Sequence, residues 1–103
     1  MYVVIFKAEL SQLDEDYLAS AKRMRQLALE NYGCIDFISI TENNTELSLS
    51  YWETEVQISA WKNDPEHLAT QTAARKKWYS SYRVEVSKVE RAYAFPVVKQ
   101  SAL

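Results

Sequence analysis

The chain has 103 residues, 48% hydrophobic and 25% charged, which fits one compact domain over residues 1–103. A single Gly excludes the Gly-rich loops that cradle dinucleotides and phosphates, and one Cys with one His excludes a Cys/His zinc site, a CxxC redox pair and an intrachain disulfide. The net charge of −2 argues against nucleic acid as a partner.

No apolar run approaches a membrane span. Residues 1–7 lack the basic start and small-residue cleavage site of a signal peptide. A chain with no disulfide framework is expected in a reducing cytoplasm.

Residues 2–8 are β-branched and aromatic and predict a first strand. Residues 14–31 contain neither Gly nor Pro and carry Tyr17, Leu18, Ala21, Met24, Leu27 and Ala28 at helical spacing. Asp14, Glu15 and Asp16 suit the positive end of that helix, and Gly33 suits its far end. Residues 35–42 predict a second strand, 42–45 a turn and 46–52 a third strand. The third strand has Leu47, Leu49 and Tyr51 on one face and Ser48, Ser50 and Trp52 on the other. A short helix is predicted over 53–62. A further helix runs from Pro65 to about residue 80, with Asp64 as N-cap and Pro65 at its first position. The last strand covers 82–93, and a slip in its alternation between Val86 and Val89 reads as a bulge.

This β-α-β-β-α-β order, with the second helix split, is the ferredoxin-like α+β plan: a four-stranded antiparallel sheet with its helices on one face. The first strand is apolar on both faces, Tyr2, Val4 and Phe6 against Val3 and Ile5. The second is too, Ile35 and Phe37 against Ile38 and Ile40. Helices cover only one face, so the other is expected to pack on a second copy, giving a homodimer.

Three Trp, seven Tyr and three Phe must line a core, an interface or a flat ligand. His67, Gln71, Ala74 and Trp78 form one helical stripe, with Trp61 just before it. A stripe this polar and aromatic suits the wall of a pocket for a planar molecule, with core anchoring as the alternative for Trp61 and Trp78. His67 sits in the first turn, where the helix dipole disfavours a positive charge, and a neutral imidazole there can act as a general base. Cys34 reads as a small buried residue and Arg75-Lys76-Lys77 as a solvated face. Arg83 and Arg91 are expected to pair with Glu85 or Glu90.

The segments Tyr51-Trp52-Glu53, Ala60-Trp61-Lys62, Pro65-Glu66-His67, Lys77-Trp78-Tyr79 and Tyr82-Arg83-Val84 together resemble the antibiotic biosynthesis monooxygenase (ABM) domain family. The resemblance implies ferredoxin-like subunits paired as a dimeric α/β barrel. Some members of that family oxidise phenolic polyketides with O2 and neither metal nor flavin. Others degrade haem with an Asn on the first strand, a Trp and a His. Trp61 matches that Trp. The haem enzymes' His falls at Gln71, and the first-strand Asn has Lys7 as its nearest counterpart, which argues against haem breakdown. The resemblance therefore implies a cofactor-independent monooxygenase acting on a small aromatic, phenolic or quinol-like compound. His67, Trp61 and Gln71 are its candidate catalytic residues, with Trp78, Tyr51 and Tyr82 around the ring. No metal and no cofactor are expected. A non-catalytic dimeric ligand-binding protein and a haem protein are the alternatives.

Overall fold

The computed structural model describes residues 1–96; residues 97–103, the end of the expected domain, lie outside them. The described chain forms β1 (Tyr2–Leu10), α1 (Glu15–Asn31), β2 (Asp36–Glu42), β3 (Thr45–Trp52), α2 (Glu55–Lys62), α3 (Pro65–Lys77) and β4 (Tyr79–Lys88). The sheet order is β2-β3-β1-β4 with every neighbouring pair antiparallel, the ferredoxin-like arrangement expected.

Local chemistry fixes the element ends. The Asp14 carboxylate accepts the backbone N–H of Tyr17 and caps α1. Gly33 follows that helix at φ +78°, a left-handed conformation that residues with a Cβ rarely adopt, so glycine is favoured there. Asn43 and Asn44 both take positive φ and turn β2 into β3 in two residues, as a tight hairpin demands. The second helix starts at Glu55 and not at residue 53, because Thr54 and Gln57 close a capping box around its first turn. Asp64 accepts the N–H groups of Glu66 and His67 and starts α3, with Pro65 in the first turn.

The region after α3 departs from expectation. The helix stops at Lys77 with Trp78 as C-cap, and β4 begins at Tyr79, three residues before the predicted start. Pairing with β1 is regular from Tyr2↔Lys88 to Glu9↔Ser81, so no bulge lies between Val86 and Val89. The irregularity comes at Leu10↔Tyr79, where Ser80 is the extra residue. Its hydroxyl donates to the Glu9 carbonyl. One consequence is that Tyr79 and Tyr82, three apart in sequence, share one face.

The helices lie over the face that carries Val4, Phe6, Phe37 and Trp52. Trp52 is fully buried among Val4, Ala28, Cys34, Phe37 and Ile58, with Tyr2, Tyr32 and Trp61 around them. A second cluster joins Leu10, Tyr17, Ala74 and Trp78, with Tyr79 alongside. There the Tyr17 ring meets Trp78 edge-on at 5.3 Å. Cys34 is buried and its thiol is pushed up by that burial, as a packing residue's would be. Arg83 pairs with Glu85 of its own strand at 3.4 Å. The basic run is less free than expected: Lys77 bridges to Asp16 and lies over the Trp78 ring. No helix among the described residues is long and apolar enough to cross a membrane.

Removing the Trp52 indole leaves a void in the larger cluster that the surrounding helices cannot fill. Trp52→Ala should cost about 3–5 kcal/mol in urea unfolding; a loss below about 1 kcal/mol would show that the cluster does not anchor the fold.

Candidate functional site

Between the two aromatic clusters the helix and sheet layers do not close. They leave a cavity of about 180 Å³. Below the roughly 300 Å³ at which drug-sized pockets begin, such a space suits a single substituted ring. Its floor is Val4 and Phe6 of β1 with Val84 and Val86 of β4, and its roof includes Ala21 and Met24 of α1. The third helix runs along its length, presenting His67, Gln71 and Ala74 in order, with Trp78 just past its end.

At the α2–α3 junction the Trp61 and His67 rings meet at 4.5 Å, close to perpendicular. Trp61 also packs on Trp52 at 5.4 Å and on Phe37 at 6.1 Å, which fixes its plane. Two buried polar atoms in this corner have no partner: Nε1 of Trp61, which is a donor, and Nδ1 of His67. Unpaired buried polar atoms are costly, and these two belong to neighbouring residues of one cavity wall. Burial pulls the His67 pKa below its usual value, and Lys62 adds to this while Asp64 opposes it. His67 is thus neutral near pH 7 and able to take a proton.

The other end of the cavity is built around Glu46, which is 4% exposed. Its Oε1 accepts the Tyr17 hydroxyl and, at 3.3 Å, that of Thr41. Its Oε2 accepts Ser39 at 2.5 Å and Ser48 at 2.9 Å. Burial, with the Glu46 hydrogen bond adding to it, drives the Tyr17 phenol far above its ordinary range. Tyr79 is pushed up to about 12, mainly by burial and in part by the Glu46 charge. Sequence reasoning missed this group. On an alternating strand, Glu46, Ser48 and Ser50 read as the solvent face; here they point inward. The available signal was their shared phase with Trp52.

The candidates chosen from sequence fall in different places. His67, Trp61, Gln71 and Trp78 all line the cavity. Gln71 Oε1 accepts from the Arg75 guanidinium at 3.4 Å, and Trp78 is also a structural tie, its indole N–H donating to Asp14 at 3.1 Å. Tyr51 does not reach the site. It lies on the outer face of the sheet with Leu47 and Leu49, because side chains on a strand alternate and the Ser48 phase is the one turned inward. Tyr82 is on the inner face but behind the wall, stacked on Phe6 at 5.8 Å and hydrogen-bonded by Arg75 Nε at 3.0 Å. Lys7 pairs with Leu47 and Arg83 and belongs to the outer face. It therefore supplies no group to the cavity. With Lys7 turned away, Gln71 engaged by Arg75, and room for one ring only, these residues do not fit a haem. No group of three or more His, Cys, Asp or Glu able to hold a metal ion occurs among the described residues.

No family model matches the chain. It is 36% identical over 95 residues to the uncharacterized protein YqjZ of Bacillus subtilis, spanning 91% of this chain and 83% of that one. Among solved structures it is similar to SnoaB, a cofactor-independent oxygenase from Streptomyces nogalater, with TM-score 0.75, 12% identity, and coverage of 88% of this chain and 94% of that chain. It is also similar to a proposed antibiotic biosynthesis monooxygenase from Nitrosomonas europaea, with TM-score 0.75, 12% identity, and coverage of 94% and 93%. At such identities the likeness concerns the fold, which is the fold the sequence resemblance implied.

The buried imidazole has a consequence for stability. Its folded-state pKa lies below the unfolded value near 6.5, so on acidification the unfolded chain takes up the proton first. Stability from this group is complete above about pH 6.5 and is lost as pH falls through the folded value. Asp14, Asp64 and Glu66 are all held below their usual carboxylate range, so their contributions are lost only in stronger acid. His67 is the only histidine. The urea midpoint should fall between about pH 7 and about pH 5.5 in the parent chain and stay level in His67→Gln. A parent profile as flat as the variant's would contradict the burial.

Proposed function

The chain belongs to the family of YqjZ and has the ABM fold, and we propose that it is a cofactor-independent monooxygenase acting on a small phenolic or quinol-like ring. The observation that carries this reading is the corner of the cavity wall formed by Trp61 and His67, whose Nε1 and Nδ1 are buried and without a protein partner. A phenolic hydroxyl placed there can give its proton to Nδ1 of neutral His67 while its oxygen accepts from Trp61 Nε1. The resulting phenolate is electron-rich enough to pass one electron to O2. Recombination of the radical pair at a ring C–H carbon forms a hydroperoxide. Loss of water then leaves a quinone carbonyl. One oxygen atom of O2 ends in the product and the other in water, whose two hydrogens come from the phenolic O–H and the ring C–H. The apolar walls exclude bulk water, which would otherwise solvate the phenolate and quench its reactivity. Gln71 and Trp78 shape the wall beside the ring.

Oxygen-electrode assays with a panel of phenols and hydroquinones should show consumption. His67→Ala should lower it by roughly 10²-fold or more while the circular dichroism stays unchanged. No consumption with any member of the panel would overturn the oxygenase reading in favour of a ligand-binding protein without catalysis.

The same proposal includes a homodimer. The outer face of the sheet carries Ile38, Ile40 and Leu47, which are 44%, 58% and 38% exposed, beside Val3, Ile5 and Leu49, and no helix covers it. A second copy seated sheet to sheet would bury this patch. Light scattering should give twice the chain mass, and Leu49→Lys should halve it; a parent chain that runs singly at high concentration would refute the pairing. A reducing cytoplasm suits the lone Cys34 thiol.

A further inference from the structure

The cavity is electrically two-ended. Lys62 and His67, the basic side chains in its wall, stand with Trp61 at one end. At the other, Glu46 is buried with no Lys, Arg or His within ion-pair distance among the described residues. Both ends line the one cavity, whose volume of about 180 Å³ suits a single substituted ring. A buried carboxylate is tolerable when hydroxyls donate to it, and here four hydroxyls lie within hydrogen-bond distance. Yet the negative charge itself remains unbalanced in an apolar setting, which is the costly part of burying an ion.

Ser39 and Ser48 have two hydroxyl hydrogens for three contacts, two to Glu46 Oε2 and one between their own oxygens, so at most two of these contacts carry a hydrogen and the oxygens keep acceptor lone pairs. Ser39 Oγ and Ser48 Oγ lie 2.7 Å apart and both border the cavity, so they present a compact set of acceptors polarised by the carboxylate. Around them stand the faces and edges of Tyr17, Tyr79 and Phe6, with Tyr79 5.5 Å from Phe6 and 6.1 Å from Tyr17. Acceptors, net negative charge and aromatic rings in one dry corner are the three elements that bind an ammonium group. The acidic hydroxyl of a ligand is unsuited to this end, because the burial that holds Tyr17 and Tyr79 protonated, with the Glu46 charge adding to it, would hold it protonated as well.

We propose that Glu46, with Ser39 and Ser48, forms a subsite for a protonated amino group, so that the preferred ligand is a small aromatic amine whose phenolic end faces Trp61 and His67. This rests on the reading that the cavity takes a phenolic ring, and it adds the ligand's second functional group and its orientation.

The test is calorimetric titration with tyramine and with 4-ethylphenol, a matched pair differing in the ammonium group. Tyramine should bind about tenfold tighter or more, and Glu46→Gln should abolish that preference while leaving 4-ethylphenol affinity within about twofold. Equal affinities in the parent chain, failure of both to bind, or a preference that survives Glu46→Gln would each overturn the proposal. Should Glu46→Gln fail to fold by circular dichroism, Ser48→Ala serves in its place and should reduce the preference; an undiminished ratio counts against the subsite. Tyramine bound selectively without oxygen consumption would uphold the subsite and remove the oxygenase chemistry, so the two ideas fail separately.

Discussion

The structure depends on the inward face of β3 being polar. Three consecutive inward positions, Glu46, Ser48 and Ser50, stand where a ferredoxin-like sheet would ordinarily offer aliphatic side chains to its helices. Apolar packing cannot proceed across them. The interior therefore divides into the Trp52 cluster at one end of the sheet and the Tyr17–Trp78 cluster at the other. The helices rest on these two supports and span the gap between them. The strand's carboxylate and hydroxyls bond to one another, to the Trp52 indole N–H and to the Tyr17 hydroxyl of α1, and these bonds stabilise the polar strip inside the fold.

That division also sets the chemistry. Had the core closed, the Trp61 and His67 nitrogens would need protein partners or would be replaced by apolar groups. The gap lets them remain unpaired, and their cost is carried by the rigidity of their neighbours: Trp61 is wedged against Trp52 and Phe37, and His67 is held by the Asp64 cap. Asp64 in turn accepts the Tyr32 hydroxyl at 2.6 Å, which links the start of α3 to the end of α1. Arg23 and Glu66 join the same two helices on the outside, at 2.6 Å. As an exposed pair it contributes little energy, but its two-pronged geometry fixes their spacing.

Much of this was legible in the sequence. Element order, the Asp14 and Asp64 caps, the Asn43-Asn44 turn and the His67–Trp78 stripe follow from short-range rules that tertiary contacts left in place. The failures share one cause. Period-two alternation says which residues share a face but not which face is inside. Leu47, Leu49 and Tyr51 are the greasier set, yet they face outward, so Tyr51, which the family resemblance placed around the ring, misses the site, while Glu46, Ser48 and Ser50 line it. Only the helices above decide the matter, and Trp52 decides for them by being the largest side chain in its phase. The Val86–Val89 slip misled for a similar reason: β4 ends at Lys88, so the change in pattern there is the strand stopping and not a bulge within it.

The true bulge, at Ser80, has a broader meaning. The ladder to β1 reads Tyr79, then Ser81, with Ser80 looped out between them and tied to the Glu9 carbonyl. Shortening the chain by that residue leaves the alternation of Tyr82, Val84 and Val86 untouched. The junction of helix and edge strand thus acts as a slack point. Relatives can gain or lose a residue there without turning the strand over, so the length of α3 can drift through evolution while the lining of the hollow stays constant.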